Sequence, residues 1–206
     1  MQRTDKSAGH VVITGMGRTG TTFLVQLFTF LGFDTGFTRQ AALESVNGVS
    51  RAGLEFSHLQ PARWPYVVKS PRIAQVLHRL LETAQVRVKL VILPVRAAAD
   101  AAASRIRVSR EGERQGGMWL APTEQRQRGA LLNVNHALLC TIARFRVPHV
   151  LLHFPTLVQD GDYLFAALEP MLREHGVDAA EFTAAFAAVA RPELVHRFEG
   201  AGGAAG

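Results

Sequence analysis

The chain has 206 residues and carries 23 Lys plus Arg against 17 Asp plus Glu, a formal charge of +6. That length suits a single domain with a sizeable core, and 48% hydrophobic residues is ordinary for a soluble globular protein. One cysteine, Cys140, excludes an intrachain disulfide or a multi-cysteine zinc site, and no apolar run approaches the roughly 20 residues of a membrane span. The N-terminal MQRTDKSAGH lacks an apolar core, so the expectation is a cytoplasmic chain without a secretory signal. Only Lys6, Lys69 and Lys89 are lysines; the basic excess is arginine, suited to bidentate recognition of phosphate or carboxylate. An anionic partner fits this balance, and charge alone fits nucleic acid or an anionic membrane surface equally well.

In chain order, HVVITG (10–15) reads as a short buried strand ended by turn glycines. A helix follows over about 20–32, with Phe23, Leu24, Leu27, Phe28 and Leu31 at helical spacing. Residues 33–64 show weak periodicity and read as loops with short helical pieces. PYVVK (65–69) is a second strand, and 71–84 a helix opened by Pro71. VKLVILPVR (88–96), nearly all apolar, is a strand covered on both faces, and an alanine-rich helix continues from it. The polar, basic stretch 110–128 reads as a loop or lid, and a helix spans about 123–145 with Cys140 as a buried, inert thiol. PHVLLHF (148–154) is a further buried strand, helices fill 160–175 and 179–190, and AGGAAG at 201–206 is a disordered tail. Alternating strands and helices predict one α/β domain over 1–200. Its mostly parallel sheet would be covered on both faces, a three-layer arrangement with ligands at the carboxyl ends of the strands.

Three signals fall on that edge. The first is VVITGMGRTGTTFL, where Gly15, Gly17 and Gly20 permit a tight turn whose N–H groups face an anion, ahead of a helix whose positive end adds to the pull. Arg18 supplies charge, and Thr19, Thr21 and Thr22 supply hydroxyls. A nucleoside triphosphatase loop needs lysine after the last glycine; here that residue is Thr21. The second is Lys69, in KSPR, placed by the strand before it to neutralise a bridging or leaving oxygen. The third is Arg96 at a strand end with Ser104 eight residues on, a little over two helical turns, so that guanidinium and hydroxyl converge on a second phosphate.

These motifs resemble the 3′-phosphoadenosine 5′-phosphosulfate (PAPS)-dependent sulfotransferase family. Its phosphosulfate loop, [KR]-[ST]-G-[TS]-[TS], matches Arg18, Thr19, Gly20, Thr21 and Thr22, and its 3′-phosphate motif matches Arg96 and Ser104. The resemblance covers about 10–32 and 65–107. It implies a P-loop NTPase-like sheet of the nucleotide-kinase type and transfer of a sulfuryl group to a hydroxyl or amine of a small-molecule or glycan acceptor. PAPS is the implied donor, with no metal. On this reading Gly17, Arg18 and the amides of 19–22 hold the phosphosulfate, Lys69 assists the bridging oxygen, and Arg96 with Ser104 holds the 3′-phosphate.

The general base stays open. Cytosolic members of the family place a histidine two residues after the lysine, where this chain has Pro71. Glu55 is preferred, with Glu44 and His58 as alternatives. Arg105, Arg107, Arg110, Arg114, Arg126 and Arg128 flank the presumed lid and either contact ligand or form a solvated basic face. Trp119 either stacks on a ligand ring or pins the lid. The family's C-terminal glycine-basic element is not evident, which leaves the far side of the pocket undefined. No metal-binding histidine spacing occurs; His149 and His153, four apart, fall in a strand. A small-molecule kinase and a non-catalytic nucleotide- or nucleic-acid-binding protein are the competing readings. The arginines lack interleaved aromatics, which argues against nucleic acid.

Overall fold

A computed structural model describes residues 3–4, 9–114 and 116–195. Its centre is a four-stranded, all-parallel sheet built from β1 (His10–Ile13), β2 (Val67–Lys69), β3 (Val88–Val95) and β4 (His149–His153), in the order β2-β1-β3-β4. Helices α1 (Thr21–Phe30), α2 (Arg39–Glu44), α3 (Ile73–Glu82), α4 (Ala98–Arg110), α5 (Glu124–Phe145), α6 (Thr156–Gln159), α7 (Gly161–Glu174) and α8 (Ala179–Val189) form the rest of the ordered framework.

The two faces of the sheet follow from the two-residue period of a strand. Val11 and Ile13 of β1 join Val67, Ile92 and Leu152 in a core closed by apolar residues of α1, α6, α7 and α8. Val12 points the other way and joins Val68, Val91 and Leu93 under Ile73, Leu77 and Leu80 of α3 and Val134, Leu138 and Ile142 of α5. A strand covered on both faces has no polar side to display, which is why VVI is apolar throughout. The expected three-layer α/β arrangement is therefore present.

Strand ends decide where the site forms. In β1 and β2, Ile13 pairs with Lys69, so both strands finish level at one edge. Thr14 then leaves the ladder, its Oγ1 donating to the Ser70 carbonyl at 2.8 Å. Helix α3 begins at Ile73, two residues beyond Pro71, whose carbonyl accepts from Ala74 N.

Two expectations need correction. The stretch at 148–154 is not a buried strand: β4 is an edge strand that pairs with β3 alone, and Leu151 is 51% exposed. Apolar content cannot separate a central strand from an edge strand, because only the lateral order decides which faces are covered. Cys140 is exposed, since the buried stripe of α5 runs through Leu131, Val134, Leu138 and Ile142 and leaves position 140 outside. The short helix α6, between β4 and α7, was not expected. The tail at 201–206 lies outside the described residues. Among the described residues, no helix is long and apolar enough to cross a membrane.

Candidate functional site

From β1 the chain goes to β2 on one side, then crosses β1 to place β3 on the other. The connection that leaves the carboxyl end of β1 runs toward β2 and the one that leaves neighbouring β3 runs toward β4, so a crevice opens between β1 and β3, as in other open parallel sheets. The glycine-rich loop fills this position.

Its backbone is left-handed at Gly17 (φ 69°), Arg18 (φ 60°) and Gly20 (φ 82°). At Gly17 a side chain is excluded twice over, by φ and by space: a Cβ there would lie 2.5 Å from Arg105 Nη2. Arg18 adopts such a φ without being glycine, at a cost of about 1–2 kcal/mol. Its surroundings hold it there. Nε donates to Ser104 Oγ at 3.0 Å, Nη1 donates to the Ser50 carbonyl, and the Arg18 carbonyl accepts from Arg96 Nη1 at 3.3 Å. Gly20 is the N-cap of α1 and offers no side-chain cap, so the first helical N–H groups stay directed at the crevice.

Lys69 ends β2 at 2% exposure. Its three donors are all engaged, with Thr22 Oγ1 at 3.2 Å, the Gly53 carbonyl at 2.7 Å and Glu55 Oε1 at 3.0 Å. Burial pulls its pKa below the usual lysine value, Glu55 opposes that shift, and Arg18 and Arg105 add to it. Its one carboxylate partner, Glu55, has a side chain that is 37% exposed.

Arg96 follows β3 directly, its guanidinium lying over the Phe154 ring at 4.8 Å and its Nε 3.9 Å from Asp100 Oδ2. Ser104, two turns along α4, is buried. Next to it, Arg105 donates from Nη1 to the Gly117 carbonyl at 2.6 Å and from Nη2 to the Met16 carbonyl at 2.7 Å. Burial first, then repulsion from Arg18, lowers Arg105 to about 10, with Glu55 pulling the other way. Arg18 is likewise lowered to about 10 by burial, Arg96 and Arg107. Both remain cations at neutral pH, so these shifts record crowding of positive charge rather than loss of a proton.

The glycine loop, Lys69 with Glu55, Arg96, Ser104 and Arg105 line one open cleft. Among the described residues, six cationic side chains (Arg18, Arg51, Lys69, Arg96, Arg105 and Arg191) and a single carboxylate, Glu55, border it. Such an imbalance, with Lys69, Arg96 and Arg105 buried, favours an anion that brings several negative charges.

Of the residues singled out by sequence, Gly17, Arg18, Gly20, Thr21, Thr22, Glu55, Lys69, Arg96 and Ser104 border this cleft. Thr19 does not: its hydroxyl is buried without a hydrogen-bond partner and lies outside the cleft wall. Glu44, at the exposed end of α2, accepts from Gln40 and stays away from the cleft, as does His58. The imidazole of His58 is held below its ordinary pKa by burial, Arg72 and Arg79. Trp119 pins its loop: the Arg105 guanidinium sits 5.3 Å over its ring, and its backbone N and O pair with the buried Gln127 side chain.

Sequence reasoning grouped Arg105 with the lid arginines and missed Phe154, Ser50 and Arg191. Phe154 was legible in principle, because it follows a strand at the carboxyl edge. Ser50 and Arg191 carried no local signal, since each arrives through long-range packing. The far side of the cleft is closed by the segment after α8, through Arg191, Leu194 and Val195. Among the described residues, no group of histidine, cysteine, aspartate or glutamate side chains is arranged to hold a metal ion.

No protein-family model, curated protein or solved structure matches this chain.

Proposed function

We propose that this protein is a sulfotransferase of P-loop NTPase-like fold. It would move the sulfuryl group of PAPS to a hydroxyl or amine of an acceptor molecule. The observation that carries the reading is the gathering of Arg18, Lys69, Arg96 and Arg105 around one cleft with a single carboxylate among the described residues, at the carboxyl edge of a parallel sheet. A donor with a phosphosulfate at one end of its ribose and a phosphate at the other suits that charge. A triphosphate suits it less well, because Thr21 stands where lysine would grip the β- and γ-phosphates.

The roles follow from chemistry. The amides at the start of α1, with the loop backbone around Gly17 and Gly20, hold the phosphosulfate, and Thr21 and Thr22 add hydroxyls. Arg96 and Ser104 hold the 3′-phosphate, and the bridging position of Arg18 lets it serve both ends. Sulfuryl transfer, like phosphoryl transfer, proceeds through a loose transition state, so positioning and charge stabilisation dominate. The acceptor oxygen attacks sulfur and an S–O bond forms. The bond from sulfur to the bridging oxygen breaks, and the electron pair leaves with the 5′-phosphate. Lys69 neutralises that oxygen, and Glu55 takes the proton of the acceptor hydroxyl.

Glu55 is favoured over Glu44 and His58 because, of the three, it alone borders the cleft and touches Lys69. A thermal-shift comparison tests the reading directly. Adenosine 3′,5′-bisphosphate should raise Tm well above the effect of equimolar ATP with Mg²⁺ or of a DNA oligomer. Equal or greater stabilisation by ATP would favour a kinase and sink the sulfotransferase assignment.

A further inference from the structure

The cleft is not uniformly basic. From Thr22, which accepts from Lys69, the wall continues one helical turn along α1 to Gln26, whose Nε2 donates to the Ala42 carbonyl at 2.9 Å. Opposite, Val46 forms a β-bridge with Gly53, the residue whose carbonyl holds Lys69. Val46 and Val195 both pack against the core that contains Phe23. The Phe23 ring meets Phe186 of α8 edge-on at 5.7 Å, which brings the end of α8, with Val189, to the same side. Phe23, Val46, Val189, Leu194 and Val195 therefore make an apolar wall beyond the Lys69–Glu55 pair.

The polar side chains on this wall have donors already engaged. Gln26 is bonded to Ala42, and Arg191 donates to the carbonyls of Ala188 and Ala190, closing the end of α8. A glycan needs many hydrogen-bond partners and finds few here. Charge points the same way. The donor brings about four negative charges, two on the phosphosulfate and nearly two on the 3′-phosphate. Among the described residues, six cations less one carboxylate are largely balanced by it, which leaves little attraction for an acidic acceptor.

We propose that the acceptor is a neutral molecule with an apolar body and one reactive hydroxyl, such as an alkylated phenol. Its body lies against Phe23, Val46 and Leu194, and its hydroxyl lies at Glu55. This rests on the sulfuryl-transfer reading above. The hydroxyl oxygen bonds to sulfur, its proton passes to Glu55, and the bisphosphate departs with the electron pair of the broken S–O bond.

The test is a homologous series from phenol to 4-hexylphenol with PAPS, reading aryl sulfate by mass spectrometry. Burial of each methylene should raise kcat/KM about three- to fourfold over the first members of the series. Calorimetry should show 4-butylphenol binding to the complex with adenosine 3′,5′-bisphosphate. Leu194→Asp, at an exposed position, should flatten the series, with bisphosphate affinity measured alongside as the control for folding. A flat series in the unsubstituted protein, or preference for a chitin disaccharide or an acidic tyrosine peptide drawn to Arg51, overturns the acceptor proposal while bisphosphate binding leaves the donor reading standing. Failure to bind the bisphosphate overturns both.

Discussion

Arg18 Nε donates to Ser104 Oγ at 3.0 Å, joining two residues 86 positions apart. Sequence places one in the glycine loop and the other in a distinct phosphate motif, two cradles at a distance. In the folded protein they touch. The loop and the Arg96–Ser104 pair form a continuous cationic strip, because β3 lies directly beside β1 and delivers α4 against the loop.

Arg96→Ala should weaken adenosine 3′,5′-bisphosphate binding by about one to two decades, the worth of a charge-assisted hydrogen bond at roughly 1.5–3 kcal/mol. Titration calorimetry checks it. Unchanged affinity would remove Arg96 from the site.

Gly17→Ala meets both a left-handed φ and the Arg105 guanidinium 2.5 Å from the new methyl. The variant should lose about 1–2 kcal/mol and roughly 2–8 °C in Tm, together with much of its bisphosphate affinity. A variant of full stability and affinity would show that the loop does not need its tight contact with Arg105.

Glu55→Gln keeps the shape of the side chain and removes the base. Turnover should fall at least about a hundredfold, the usual contribution of general-base catalysis, while bisphosphate affinity changes little. A wild-type rate would transfer the proton-accepting role elsewhere.

Lys69 has a folded-state pKa below its ordinary 10.5, first because it is buried. Between those two values the unfolded chain binds more protons than the folded one, so this group adds stability as pH rises through the window. Below the folded-state value it is a net cost. Lys69→Met should therefore gain on the wild type in Tm near neutral pH and lose that advantage as pH climbs toward 10.5. Parallel Tm curves for the two proteins across that range would show that burial of the charge is fully compensated.

Arg105→Lys keeps a charge but not the fork that spans Met16 and Gly117 or the planar contact with Trp119. Amides of residues 116–120 should exchange hydrogen at least about tenfold faster, as a loop loses an anchoring pair of bonds worth about 1.5–3 kcal/mol each. Unaltered exchange would mean that the Gln127–Trp119 bonds hold the loop alone.

Much of this architecture is legible before folding. The apolar triplet at 11–13, the glycines of the following turn and the stripe of α1 are set by rules acting over a few residues. They therefore survive in the linear order. Lys69 and Arg96 were readable as strand-terminal cations for the same reason. The exposure of Cys140 was not, because a helix position gains or loses cover only when its neighbours are known. Nor was the choice among Glu55, Glu44 and His58, which share a segment with weak periodicity; only the cleft wall and the bond from Lys69 to Glu55 separate them.

The amino-acid sequence alone determined most of the elements, though not the short helix α6, and which charged groups stand at the ends of strands, since periodicity and turn chemistry are local. Tertiary structure decided the lateral order β2-β1-β3-β4, and with it the edge position of β4, the meeting of Arg18 with Ser104 and the entry of Arg105, Arg191 and the apolar wall into one cleft. Those contacts join residues tens to hundreds of positions apart, and their geometry comes from packing of whole faces, which short-range pattern does not encode.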